Sequence, residues 1–155
     1  MFLCNHLYGV ILHIRGRGIA KGRAGGPLLV SPAPISFLSG VDPDSGIIIE
    51  KGHPLQGTGI AGTVLAFPYG KGSTVGSYVL YALSRNRHAP AAIINSEAEA
   101  IIATGAIIGG IPMIDRIGTT LKGKRASGGP VAKKAKARAP APAARKSAAS
   151  RRARK

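Results

Sequence analysis

Ser73 is the side chain whose surroundings best suit it to do chemistry. It follows Gly70-Lys71-Gly72 and precedes Thr74. Two glycines around a lysine let another molecule approach the backbone closely. A serine at the N-cap of a following helix can accept from a free amide, and the helix N-terminus favours negative charge. The pattern suits binding an anion or tuning a serine hydroxyl. It equally suits an ordinary helix cap on a tight turn, since glycine-rich turns often precede helices.

Other chemistries fit these residues less well. No glycine opens the loop at the P-loop distance before Gly70-Lys71, and Gly72 rather than Ser or Thr follows the lysine, which argues against nucleotide hydrolysis. Lys71 stands two residues before Ser73, so no nucleophile elbow surrounds the serine. His53 has no second histidine or cysteine at ligand spacing and reads as a surface or hydrogen-bonded residue. Asp42 and Asp44 straddle Pro43, and turn-making by their side chains accounts for both. The single cysteine, Cys4, excludes an internal disulfide and cannot alone hold zinc or an iron–sulfur cluster.

The elements that would position Ser73 follow from hydrophobic patterning. Thr63–Phe67 reads as a strand that stops at Pro68, and Val75–Arg85 has apolar residues near helical spacing. Upstream, Leu12–Lys21 reads as a half-exposed strand, Gly25-Gly26 as a turn and Pro27–Ser31 as a short strand. Ile35–Leu38 reads as an extended path after two prolines, and Ile47–Glu50 as a buried β run. Downstream, Ala91–Asn95 is expected as a core strand. Ser96 with Glu99 offers a capping box for a helix over Glu97–Ala106, and Ile111–Asp115 a last short strand. Early strands followed by two strand–helix alternations predict an α/β domain with a mixed, partly barrel-like sheet.

Charge divides the chain. All six acidic residues lie before residue 118, where nine basic residues leave a net +3, and the remaining segment carries +13. Residues 1–10 read as disordered lead-in, 11–117 as the domain, and 118–155 as a disordered tail rich in Lys, Arg, Ala and Pro. Such a tail can bind nucleic acid through phosphate neutralisation, or simply be a solvated appendage. No run approaches a membrane span, and Met1–Ile14 lacks the basic start and cleavage site of a signal peptide, so a cytoplasmic protein is expected.

Several stretches, in order, resemble the aconitase X swivel-domain family: Pro34–Pro43, His53-Pro54-Leu55, Gly70–Tyr78, Ala89–Ile94, Ala103–Ile107 and Ile111-Pro112. The likeness spans about residues 14–117. It implies a swivelling β/β/α domain that acts only with a large subunit. That partner would hold an iron–sulfur cluster, [4Fe-4S], with one iron acting as Lewis acid on a leaving hydroxyl. The implied reaction is dehydration of (R)-5-phosphomevalonate to trans-anhydromevalonate 5-phosphate in the archaeal mevalonate route. The alternative substrate within the family is cis-3-hydroxy-L-proline.

The resemblance places Ser73 at the family's proton-acceptor position, with Lys71, Gly72 and Thr74 as substrate-binding neighbours. Lys71 is the nearest cation in sequence that could favour the alkoxide. The chain departs from the family after Ile117, where a glycine-punctuated, valine-rich final strand is expected and Gly118–Lys124 leads into the basic tail. Residues 1–10 have no family counterpart, so the start assigned to the chain is expected to be too early.

Overall fold

The computed structural model describes residues 15–117 and 134–138. Ten elements follow in order: β1 (Arg17–Ala20), β2 (Arg23–Val30), β3 (Ile35–Ser36), β4 (Val64–Phe67), β5 (Gly70–Lys71), α1 (Gly76–Arg85), β6 (Ala92–Asn95), α2 (Ala100–Gly109), β7 (Met113–Asp115) and β8 (Lys134–Arg138).

A six-stranded sheet runs β1-β7-β6-β4-β2-β8, and β3 and β5 form a separate two-stranded ladder. The centre is parallel (β2–β4, β4–β6, β6–β7), while β1 and β8 are antiparallel at the edges. The fold is thus mixed α/β, as the sequence suggests. Among the described residues the sheet is open rather than barrel-like, because β1 and β8 do not pair. Parallel neighbours need long crossovers, and here helices supply two of them.

β4 and β6 are buried at every position, as expected of strands covered on both faces. On one face Leu65, Phe67, Ile93 and Met113 pack with Leu80 and Leu83 of α1 and with Ile102 and Ala106 of α2. On the other face Val64, Ala66, Ala92, Ile94 and Ile114 form a second cluster. The helices approach closely at Gly105, where a Cβ would fall 2.6 Å from Leu80 Cδ1 and 3.1 Å from the Ser77 Cα.

Local differences from the sequence reading each have a cause. Gly25 and Gly26 lie inside β2, opposite Lys136 and Ala135, rather than at a turn. Ile47–Glu50 forms no strand: Ile48 is buried but Ile47 and Ile49 are exposed, and only single bridges join this stretch to Val41 and Gly59. The Ile49 amide to Gly40 O and the Ile48 amide to Thr58 O are bonds of those two bridges, which pair the stretch with two different segments and so do not extend into a ladder. The capping box at Ser96 does not form. Helix α2 begins at Ala100 after an extended Glu99 with no side-chain cap, and Asp115 Oδ2 accepts from the Ala98 amide at 3.0 Å. At the other end Gly110, at φ 65°, closes the helix, and the Ile111 amide reaches back to Ala106 O at 2.8 Å.

The reading of 118–155 as wholly disordered fails at β8, which pairs with Arg23–Pro27. Gly118–Lys124, where the sequence departs from the family's expected final strand, lies outside the described residues. Lys134-Ala135-Lys136-Ala137-Arg138 alternates with the period of a strand. The rest of the basic tail, the lead-in and Cys4 also lie outside the described residues. Among the described residues no helix is long and apolar enough to cross a membrane.

Candidate active site

β4 ends at Phe67, and Pro68 takes the chain out of the sheet. The Pro68 carbonyl accepts from the amides of Ser96 (3.0 Å) and Glu97 (3.2 Å), tying this exit to the end of β6. The chain then pairs briefly with β3 in a two-rung ladder, Ile35 opposite Gly70 and Ser36 opposite Lys71. Gly72 follows at φ 106°, a conformation that side chains rarely adopt, and a Cβ there would meet Ser36 Oγ at 3.1 Å. This bend brings Ser73 out of the ladder and into the approach to α1.

Ser73 lies two residues before the N-cap, Val75, so it is not itself the cap expected from the sequence. It still does part of a cap's work. The Val75 amide donates to Ser73 Oγ at 3.4 Å, and the Gly76 amide to the Ser73 carbonyl at 2.9 Å. The Ser77 hydroxyl donates to the Thr74 carbonyl at 2.7 Å and fixes the next residue. Lys71, Gly72, Ser73, Thr74 and Val75 are all exposed. Leu38, Tyr69 and Tyr78 are also exposed.

Lys71 is not an isolated cation beside Ser73. Its Nζ pairs with Glu50 Oε1 at 2.5 Å, and the other oxygen of Glu50 accepts from the Ser36 amide at 3.3 Å. Burial acts to raise the Glu50 pKa, but the bonds from Lys71 and Ser36 outweigh it and hold the carboxyl below its usual value. Ser36, Leu38, Ser39, Gly40, Glu50 and Lys71 line a shallow cleft of about 330 Å³. Thus three of the four residues singled out in the sequence, Gly72, Ser73 and Thr74, share one exposed turn, and Lys71 enters it from a rung shared with Ser36.

Sequence reasoning missed Ser36 and Glu50. The available signal for Glu50 was a carboxylate closing an apolar run in a chain with only six acids. Nothing local marks its distant partners.

The other candidates fall into structural roles. His53 is buried, with Nδ1 accepting from the Leu55 amide at 3.1 Å and Nε2 3.3 Å from Ser31 Oγ. The first contact makes Nε2 the protonated nitrogen of the neutral ring, donating to Ser31. Asp42 accepts from the Asp44 amide at 3.2 Å and from the Ser45 hydroxyl, which together hold its carboxyl below the usual range. Asp44 accepts from Asn86 Nδ2 at 3.1 Å. Both aspartates make turns rather than an acid–base pair. Among the described residues no three His, Cys, Asp or Glu side chains gather as a metal site.

A mixed α/β domain presenting an exposed serine on a glycine loop is the kind of protein that this fold and site define. The family profile of the aconitase X swivel domain matches residues 13–137, and the chain belongs to that family. The match extends through most of β8, beyond the 14–117 span legible from motifs. A protein of Methanocella arvoryzae called phosphomevalonate dehydratase small subunit is 62% identical over 106 residues, covering 68% of this chain and 80% of its own. A protein of the same description from Thermococcus onnurineus is 59% identical, covering 68% and 82%. The crystal structure of Thermococcus kodakaraensis aconitase X in its holo form superposes with a TM-score of 0.66 at 56% identity, covering 67% of this chain and 79% of that one.

Proposed function

We propose that the chain is the small, swivel subunit of a phosphomevalonate dehydratase, a hydro-lyase active only with its large subunit. The observation that carries this is 62% identity to a small subunit of that description over most of both chains. The family match over residues 13–137 supports it independently. The substrate is (R)-5-phosphomevalonate and the product trans-anhydromevalonate 5-phosphate. The protein works in the cytoplasm.

Ser73 is the proton acceptor. It takes the proton from the carbon next to the substrate carboxylate, the C–H electron pair becomes the new double bond, and the hydroxyl on the next carbon leaves with its bonding electrons as hydroxide, which a proton from solvent converts to water. A neutral hydroxyl is a weak base, so its alkoxide must be favoured. The Val75 amide at 3.4 Å and the N-terminus of α1 supply positive potential toward Ser73 Oγ. Gly72 and Thr74 flank the serine, where their backbone can meet an anionic group of the substrate. Lys71, already paired with Glu50, contributes through the loop's shape.

The described residues offer no ligand set for the iron–sulfur cluster that the family resemblance implies. We infer that the cluster belongs to the large subunit, and that this chain's share of the reaction is the proton transfer.

The test is anaerobic co-expression with a large subunit from the same genome, followed by a dehydration assay on 5-phosphomevalonate. Removing a general base costs about 10²–10⁴-fold in rate. Turnover by the wild-type complex, and a loss of that size in Ser73→Ala with the complex intact, is the expected result. Turnover of cis-3-hydroxy-L-proline instead would overturn the substrate. Failure of any large subunit to co-purify would overturn the subunit assignment.

A further inference from the structure

The ladder that delivers the Ser73 loop is short. It has two rungs, and the bond beside it, from the Ile35 amide to the Tyr69 carbonyl, is long at 3.4 Å. The last rung before Gly72 pairs Ser36 with Lys71. These are the same two residues that Glu50 grips: Oε2 accepts from the Ser36 amide, and Oε1 pairs with Lys71 Nζ. Glu50 is itself fixed, because the Gly40 carbonyl accepts from the amides of Ile49 (2.9 Å) and Glu50 (3.1 Å). One carboxylate therefore crosslinks the 36–40 turn, β3 and β5 at the rung where the serine loop begins.

We propose that Glu50 is a positioning residue for the dehydration, acting through Lys71 and Ser36 to fix the turn that carries Ser73. This rests on the reading of Ser73 as proton acceptor. Glu50 also neutralises Lys71, so the charge favouring the alkoxide comes from the Val75 amide and helix α1 rather than from the lysine. Glutamine at position 50 still accepts from Ser36 but cannot neutralise an ammonium, so Glu50→Gln isolates the Lys71 half of the crosslink.

The experiment uses the assembled complex with its large subunit and 5-phosphomevalonate. Misplacing a reacting group by about 1 Å can cost about 10²-fold. Glu50→Gln is expected to lower kcat by about that factor with KM changed by less than about threefold. Lys71→Met should match it, and the double variant should be no worse than either single one, since both break one pair. Hydrogen exchange of amides 71–76 in the complex should quicken in each variant.

An unchanged kcat in Glu50→Gln, a rise in KM alone, or additive losses in the double variant would each overturn the proposal. Should Glu50→Gln not assemble, Lys71→Met, at an exposed position, carries the same comparison. A wild-type complex inactive on 5-phosphomevalonate would defeat the proposed reaction. The exchange measurement would then decide on its own, with faster exchange in the variants supporting the crosslink and equal exchange sinking it.

Discussion

The Val75 amide points at Ser73 Oγ across 3.4 Å, in the turn that starts α1. The hydroxyl is thus held as an acceptor, the state required of a base, while the serine itself stays exposed. Replacing Ser73 with alanine removes the acceptor and leaves the turn bond from the Gly76 amide to the residue-73 carbonyl in place. The melting temperature of Ser73→Ala should stay within a few degrees of wild type, while dehydration falls about 10²–10⁴-fold. A comparable fall in melting temperature and in complex yield would mean that the serine is structural.

Gly72 should resist substitution. At φ 106° a side chain is strained, and the new Cβ would press on Ser36 Oγ at 3.1 Å. Strained backbone of this kind costs about 1–3 kcal/mol. Gly72→Ala is expected to lower kcat more than it lowers stability, because relief of the strain moves the adjacent Ser73. Steady-state kinetics beside chemical denaturation of the same variant separates the two.

Arg17 and Asp115 join β1 to β7. Arg17 Nε and Nη2 donate to the two carboxylate oxygens at 3.0 and 2.7 Å, with Asp115 fully buried and Arg17 half exposed. The bond from Arg17 outweighs the effect of burial and lowers the Asp115 pKa. A depressed carboxyl adds stability above its unfolded pKa of about 3.9 and loses it as pH falls from there toward the folded value. Asp115→Asn should therefore cost about 2 kcal/mol at neutral pH. The gap from wild type should shrink below about pH 4 in denaturant titrations across pH. A gap that persists undiminished at acid pH would contradict the ionic origin.

Gly105 sets the distance between α1 and α2. A Cβ 2.6 Å from Leu80 Cδ1 and 3.1 Å from the Ser77 Cα forces the helices apart, and overpacking typically costs about 1–3 kcal/mol. Gly105→Val should lower the melting temperature clearly. Gly52→Val, with open space around the new Cβ, tests whether the loss comes from crowding: only its positive φ should count against it.

The basic segment divides at Arg138. Ending the chain there keeps β8 on β2, whereas ending it at Lys133 exposes the β2 edge. Net ladder bonds are worth about 0.5–1.5 kcal/mol each. Ending the chain at Lys133 should therefore lower stability by about 2 kcal/mol more than ending it at Arg138. Equal stability of the two would remove β8 from the fold's energetics.

The sequence by itself determined the elements whose signals are local. Within the apolar runs at 63–67 and 91–95, Val64–Phe67 and Ala92–Asn95 became fully buried strands, and Gly70-Lys71-Gly72-Ser73-Thr74 was legible as a bend into a helix. The helix over 75–85 begins one residue later than its apolar spacing implied. The family was legible too, because its motifs are short stretches in fixed order. Tertiary structure decided what depends on residues far apart in the chain. Glu50 reaches residues 36 and 71, and Asp115 rather than Ser96 meets the backbone ahead of α2. The alternation Lys134–Arg138 became a strand only because β2 offered it an open edge. Hydrogen-bond partners and sheet edges are set by where the packed core places them, and no local pattern encodes that position.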